Sequence, residues 1–209
     1  MTKCKVEQFC VGPIGTNCYF LINTATKETV VIDPGAQANY LAAQIKEQEL
    51  NPVVILQTHG HFDHMDGTQE LAQKFQIEVY IHEEEKSVLA DPSMNVSKLF
   101  GTAKTYRADQ FLKDGQVLHF AGFSIKVIHT PGHTPGGVCF YLEEQKVLFS
   151  GDTLFCESAG RTDFPGGSAS ALVRGIREKL MVLPDDVKVY PGHNQSTCIG
   201  YERMHNPFI

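Results

Sequence analysis

The stretch Val53-Val54-Ile55-Leu56-Gln57-Thr58-His59-Gly60-His61-Phe62-Asp63-His64 decides how this chain is read. Val53–Leu56 is a continuous apolar run, the pattern of a strand covered on both faces. Residues two apart on an extended chain point the same way, so His59 and His61 can converge on one point beyond the strand end. Asp63 and His64 come from the turn leading into the next helix and point elsewhere. The arrangement suits two adjacent metal ions better than one. Neutral imidazole and carboxylate suit Zn²⁺, Fe²⁺ or Mn²⁺, and the lack of Cys in the cluster argues against a closed structural zinc site. Three surface histidines in a polar loop are the bland alternative. Four ligand-type residues within positions 59–64, directly past a buried strand, do not fit it.

Three later segments repeat the pattern of a ligand-type residue after an apolar run, next to Gly or Pro. Ile125–Ile128 leads to His129-Thr130-Pro131-Gly132-His133, Val147–Phe149 to Ser150-Gly151-Asp152, and Val187–Tyr190 to Pro191-Gly192-His193. Gly and Pro fix sharp turns that hold a side chain at a strand end, and sites of chemistry sit on loops carried by a rigid scaffold. Each segment alone is more readily a solvated turn than a ligand. With the first cluster they supply a converging set of histidines and carboxylates.

Around these segments the chain alternates strands and helices. Val6–Val11 and Cys18–Ile22, split by a Gly/Pro-rich turn, read as a hairpin, and Thr29–Ile32 as a third strand. Ala38–Leu50 is expected to be helical, with Leu41 and Ile45 buried. Asp66 followed by Gln69 predicts a capped helix start, with Leu71, Ala72 and Phe75 as its apolar stripe. Glu78–Ile81 reads as a strand and Glu83–Ala90 as a short helix whose Glu83-Glu84-Glu85 start is solvated. His82 reads as a neighbour of that cap. The segment 91–114 gives no clear pattern. Val117–Phe120, Ser124–Ile128, Val138–Leu142 and Lys146–Phe149 read as strands, Ala169–Leu183 as a helix and Val187–Tyr190 as a last strand. His119 and His129 fall in or beside strands, and His205 in the terminal segment has no evident partner. The expected fold class is α/β, layered, with helices outside the sheets, in one domain spanning 1–209.

Composition excludes several function classes. The chain has 209 residues, 42% of them hydrophobic and 20% charged, enough for one sizeable core. Its net charge of −6 argues against nucleic acid as a partner. No apolar run approaches the roughly 18–20 residues that span a membrane. The start, Met1-Thr2-Lys3-Cys4-Lys5-Val6, lacks an apolar signal core, which points to a cytoplasmic protein. The six Cys, at 4, 10, 18, 139, 156 and 198, include no CxxC pair and read as reduced, mostly buried thiols.

Taken in order, Thr58-His59-x-His61-x-Asp63-His64, Gly132-His133, Gly151-Asp152 and Gly192-His193 resemble the metallo-β-lactamase superfamily, over nearly the whole chain. Gly15-Thr16-Asn17-Cys18-Tyr19 and Asp33-Pro34-Gly35 resemble that family's first hairpin and its exit. The resemblance implies an αββα sandwich with metals at one edge. It implies that His59, His61 and His133 hold one metal, that Asp63, His64 and His193 hold a second, and that Asp152 bridges them. Two divalent ions are implied, zinc first, with iron or manganese as alternatives.

Within the family, Ser150-Gly151-Asp152-Thr153-Leu154-Phe155, Gly160-Arg161-Thr162-Asp163-Phe164 and the ending Gly200–Phe208 resemble the glyoxalase II-like group, in its single-domain type II hydroxyacylglutathione hydrolase branch. Only 16 residues follow His193, too few for the helical domain that supplies glutathione contacts in full-length glyoxalase II. The branch implies a thioester hydrolase acting on S-acylglutathione-type substrates, with a hydroxide between the metals as nucleophile. Asp63 would orient that hydroxide. Arg161 stands where the group places a basic residue for the substrate carboxylate, with an internal pair to Asp163 as the competing reading. A mononuclear iron persulfide dioxygenase shares the same signature, through the equivalents of His59, His133 and Asp152. A lactone or phosphodiester hydrolase would use the same metals. Cys156, near Asp152 in sequence, is a candidate for oxidation.

Overall fold

In the computed structural model, which describes residues 3–209, two six-stranded sheets pack face to face. Met1 and Thr2, part of the start read for a signal, lie outside the described residues. The first sheet runs in chain order. It comprises β1 (Cys4–Val11), β2 (Thr16–Asn23), β3 (Glu28–Ile32), β4 (Asn51–Leu56), β5 (Val79–His82) and β6 (Gln110–Leu112). β1, β2 and β3 pair antiparallel, whereas β3, β4, β5 and β6 pair parallel. Parallel neighbours need crossover segments. These carry α1 (Ala38–Glu47) between β3 and β4, and α2 (Phe62–Met65) and α3 (Thr68–Phe75) between β4 and β5. A 3₁₀ turn, Glu83–Glu85, and α4 (Lys86–Ala90) follow β5.

The second sheet begins with β7 (Val117–Phe120), β8 (Phe123–His129), β9 (Val138–Leu142) and β10 (Val147–Gly151), all antiparallel. A small hairpin, β11 (Leu154–Phe155) with β12 (Ser158–Ala159), and α5 (Ala169–Gly175), continued by a π-turn over Ile176–Leu180, lead to β13 (Lys188–Pro191), which lies parallel to β10. β14 (Thr197–Cys198) closes the edge, followed by α6 (Ile199–His205).

Four layers follow from which faces are apolar. Tyr19, Leu21, Ile32 and Leu56 of the first sheet meet Phe123, Phe140 and Phe149 of the second in the central core. The other face of the first sheet, with Phe20, Ile22 and Ile55, is covered by Leu41 and Ile45 of α1 and Leu71 of α3. Tyr141 and Leu148 on the other face of the second sheet are covered by Leu172, Ile176 and Leu180. The fold is therefore α/β, an αββα sandwich. Each large side chain in these layers contributes about 1.5–3 kcal/mol by burial, which makes the strand ends stiff supports for what lies beyond them. At one edge the sheets are stitched together. Thr58 C=O accepts from Val138 N–H at 2.9 Å, and Gly192 C=O accepts from Asn17 N–H at 2.7 Å. Tyr19 Oη donates to Pro191 C=O at 2.6 Å.

Several expectations need correction. Asp66 does not cap α3. Gly67 occupies that cap position without a side-chain bond, while Asp66 accepts from Lys104 Nζ at 2.9 Å and from Tyr106 Oη at 2.5 Å. The acidic triplet is not wholly solvated. The turn of a 3₁₀ helix points Glu83 and Glu84 outward and drives Glu85 inward to complete burial. α1 ends at Glu47, because Glu49 takes a positive φ of 54°. β4 begins earlier than expected, at Asn51, with Pro52 accommodated by a register shift against β3. All six cysteines are free thiols, but only Cys18 and Cys139 are buried. The segment without a pattern contains β6, held at the sheet edge by three residue pairs with β5.

Candidate metal centre

All seven residues singled out by sequence pattern meet at the stitched edge. His59 and His61 lie just past β4, His133 past β8, Asp152 directly after β10 and His193 two residues after β13. This is the carboxyl-end edge of the parallel strands, where open α/β sheets form their crevices. Asp63 and His64 come from α2, a single helical turn that leads into α3, as the sequence predicts. The ring centroids of His59 lie 4.8 Å from His61, 4.1 Å from His64 and 4.8 Å from His133. Ligand atoms group as His59–His61–His133, as His59–His64–Asp152 and as Asp63–His64–His193, each within 4.8 Å.

The donor atoms fit a metal and little else. His59, His61, His64 and His133 each bury an Nε2 with no hydrogen-bond partner, as does Asp152 its Oδ1. Leaving such groups unmet costs about 1–3 kcal/mol each, so five together demand an occupant. Two ligands on one zinc, each at about 2.0–2.1 Å with a tetrahedral angle, stand about 3.3 Å apart. His64 Nε2 is 3.4 Å from Asp63 Oδ2 and 3.4 Å from Asp152 Oδ1. His133 Nε2 is 3.4 Å from Asp152 Oδ2, and His193 Nε2 is 3.2 Å from Asp63 Oδ2. These are long for charge-assisted hydrogen bonds and match the edges of a coordination polyhedron. A Cβ on Gly192 would fall 2.2 Å from Asp152 Oδ1 and 2.7 Å from His64 Cε1, so only glycine lets the β13 loop approach the cluster.

Partners on the far side of the rings fix which nitrogen faces inward. His64 Nδ1 donates to Asp33 Oδ2 at 2.9 Å, and His133 Nδ1 donates to Arg161 C=O at 2.7 Å. Thr58 Oγ1 donates to Asp33 Oδ2 at 2.6 Å, which leaves it to accept from His59 Nδ1 at 3.1 Å. On His59 and His133 this leaves Nε2 as a lone pair aimed into the cluster, the arrangement by which outer partners set ligand tautomers; on His64 the Asp33 bond orients the ring in the same way. Thr16 Oγ1 donates to Asp63 Oδ2 at 2.7 Å.

Charge divides the cluster. Burial, with His64 and the other rings adding to it, holds His59 well below its ordinary range, and burial brings His61 down to about 3. His64 is raised. Burial opposes this, but the carboxylates of Asp63, Asp152 and Asp33 outweigh it. Burial likewise opposes ionisation of Asp63, yet His64 and the bonds from His193 and Thr16 bring it to about 2.

The residues that sequence patterns missed are mostly supports. Asp33 follows β3, the parallel neighbour of β4, so its strand-end position was the available signal. Glu85 gave none, because it is indistinguishable in sequence from its two exposed neighbours. Arg161 lies at the mouth of a cavity of about 380 Å³ beside the cluster, lined also by Ile14, Phe100, Phe155 and Phe164. Its Nε and Nη2 donate to Asp163 at 2.7 Å each, and its guanidinium stacks 3.9 Å from the Phe164 ring centre. His82 caps the 3₁₀ turn and stacks on His129 with ring centres 4.1 Å apart, away from the cluster.

Comparison with known proteins agrees with this geometry. A sequence model described as "Metallo-beta-lactamase superfamily" matches residues 11–193. The chain is similar to a protein named hydroxyacylglutathione hydrolase GloC from Haemophilus influenzae, 40% identical over 211 residues and 98% of each chain. Among solved structures it superimposes on one titled BLEG-1 B3 metallo-beta-lactamase with a TM-score of 0.93 and 42% identity, covering 98% of this chain and 99% of that one. A second, titled TTHA1623 in a di-iron-bound form, gives a TM-score of 0.87 and 34% identity over 97% of this chain and 100% of that one.

Proposed function

The chain belongs to the metallo-beta-lactamase superfamily, and from that premise we propose that it is a metal-dependent hydrolase of S-acylglutathione-type thioesters. In this reading His59, His61 and His133 hold one divalent cation and Asp63, His64 and His193 a second, with Asp152 shared between them. Zinc suits the nitrogen-rich donor set, and the di-iron form of the 34% identical structure makes iron the first alternative. Such a cation pair supplies, when bound, a water of lowered pKa and an electrophilic partner for a carbonyl oxygen.

The observation that carries the thioester reading is the lining of the cavity. Among the described residues its titratable side chains are the ligand cluster itself and Arg161, which is paired. No separate group stands ready to protonate a leaving group. A thiol with a pKa of about 8.5 leaves as thiolate without one, whereas an amide nitrogen does not. Asp63, held by Thr16, would accept a hydrogen bond from the attacking water and orient it. Ile14, Phe100, Phe155 and Phe164 would exclude bulk water from the acyl chain, and Arg161 would meet a carboxylate at the mouth.

The test is a panel of substrates on purified protein with its metals measured. S-lactoylglutathione and a simple S-acyl thioester are expected to be hydrolysed best, with two cations per chain and no oxygen consumption. One iron with oxygen uptake on glutathione persulfide would overturn the reading in favour of a dioxygenase. The 42% identical β-lactamase structure makes a β-lactam the required competitor in the panel. Preferential cleavage of the lactam, a lactone or a phosphodiester would also sink it.

A further inference from the structure

Glu85 is 0% exposed, yet it belongs neither to the ligand cluster nor to the lining of the cavity beside it. Its Oε2 accepts from Gly60 N–H at 2.6 Å, and its Oε1 accepts from Gly136 N–H at 2.7 Å. Gly60 stands between His59 and His61, and Gly136 lies three residues beyond His133. The first loop hangs from the first sheet and the second from the second. One carboxylate therefore straps together the two loops whose histidines converge.

Both glycines are needed for the carboxylate to come this close. A Cβ on Gly60 would lie 2.9 Å from Glu85 Oε2, and one on Gly136 would lie 2.7 Å from Glu85 N and 2.8 Å from its Cγ. Nor is the side chain occupied by its own helix. Glu85 is the cap residue of α4 and makes no side-chain capping bond there. Three imidazoles with buried, unpartnered Nε2 atoms do not hold one another in place. Something outside the cluster must hold the loops, and beside the backbone bond from Val138 N–H to Thr58 C=O the Glu85 carboxylate is the side chain that bonds both.

We propose that Glu85 is a positioning residue that fixes His59, His61 and His133 in their convergent arrangement before a cation arrives. The proposal rests on the metal-binding reading of the cluster and is independent of which bond the protein cleaves.

Glu85→Gln tests it. The carboxamide has nearly the same shape but presents an N–H₂ to one of the two backbone N–H groups, so one strap is lost. Chelator-stripped wild type and E85Q would be titrated with Co²⁺ and with Zn²⁺ against a chromophoric competitor. E85Q is expected to keep its far-UV circular dichroism, to bind its first cation about tenfold or more weakly, as loss of an outer-shell support does, and to show a changed Co²⁺ visible spectrum. Where turnover is measured, kcat should fall with KM unchanged. A variant that melts at lower temperature but keeps wild-type affinity, spectrum and kcat would overturn the proposal, because Glu85 would then be purely structural.

Should E85Q not fold, ¹⁵N-labelled wild type decides. In stripped protein the Gly60 and Gly136 amides are expected to remain protected from hydrogen exchange. Exchange as fast as in an open loop would show that the strap follows the metal rather than prepares for it, and would overturn the proposal. Failure of the thioester substrate would leave all of these binding and exchange readouts untouched.

Discussion

His59, His61 and His133 form an enclosed group of imidazoles, whereas Asp63, His64 and His193 form a carboxylate-rich and partly open one. In the first group His61 is 2% and His133 4% exposed, and burial pushes His59 and His61 down. In the second, the side chain of His193 is 19% and that of Asp63 9% exposed, and the carboxylates raise His64 and His193 against the opposing effect of burial. The supports differ in the same way. The first group is backed by Thr58, a backbone carbonyl and the two loops that Glu85 straps, while the carboxylate of Asp33 backs His64. The contrast suggests a division of work within one site. Imidazole donors in a closed cradle favour tight, geometrically defined binding. Carboxylate-balanced donors at the open side favour exchange with water and contact with substrate.

The largest expected effect is at Asp152, which faces both groups. Asp152→Ala removes the oxygens that face His64 and His133 at 3.4 Å. Activity should fall by at least about 10²–10³-fold, the scale on which a single catalytic electrostatic group acts, and metal content should fall with it. Elemental analysis beside steady-state rates checks this. Retention of activity together with two cations would remove Asp152 from the metal site.

Asp33→Asn comes next and separates the two groups. His64 Nδ1 would lose its charged acceptor, and the Thr58 hydroxyl that backs His59 would lose one as well. Loss of such an outer partner costs about 10–100-fold in affinity or activity. The larger share should fall on the second cation, seen as a stoichiometry nearer one than two at limiting metal. Equal weakening of both cations would show that the two groups act as one.

A pH series on chelator-stripped wild type and His61→Gln, read as the difference between the two, isolates His61 from the oppositely shifted His64 and His193. His61 titrates near 3 when folded and near its ordinary 6.5 when unfolded. Between those values the unfolded chain binds a proton that the folded chain does not, so stability is full above about 6.5 and declines as the pH falls toward 3. The share of stability that His61 supplies should therefore be lost between pH 7 and pH 5, against the opposite contributions of the raised His64, His193 and Glu85. His61→Gln should remove that loss. Identical pH slopes in the wild type and His61→Gln would remove the claim that burial keeps His61 neutral.

How much of this was legible in sequence follows from the same contrast. The ligands could be read because each stands at a strand end next to Gly or Pro, and their spacing survives without knowledge of packing. Layering could be read too, since the apolar runs of β4 and β10 require cover on both faces. The supports could not. Asp33 acts through a strand neighbour, and pairing is not written in local pattern. Glu85 follows two glutamates that face water, and only the tight turn of a 3₁₀ helix sends it inward. Asp66 looked like a helix cap because its spacing to Gln69 is right. The fold gave it to Lys104 and Tyr106, 38 and 40 residues away, instead.

The smallest expected effect is at the mouth, where the sequence left two roles open for Arg161. The structure places its guanidinium against Asp163 through two bonds of 2.7 Å, with side chains 57% and 65% exposed. An exposed pair of this kind is weak, so a substrate carboxylate can displace Asp163 rather than find Arg161 closed to it. Asp163→Ala should then lower KM for a carboxylate-bearing thioester by about two- to fivefold, the scale of a surface ion pair, and leave kcat alone. Arg161→Ala should raise KM for the same substrate and do nothing for a thioester without a carboxylate. If both variants treat the two substrates alike, the pair only stiffens the loop that lends its Arg161 carbonyl to His133. Its influence would then reach the enclosed group of rings rather than the substrate.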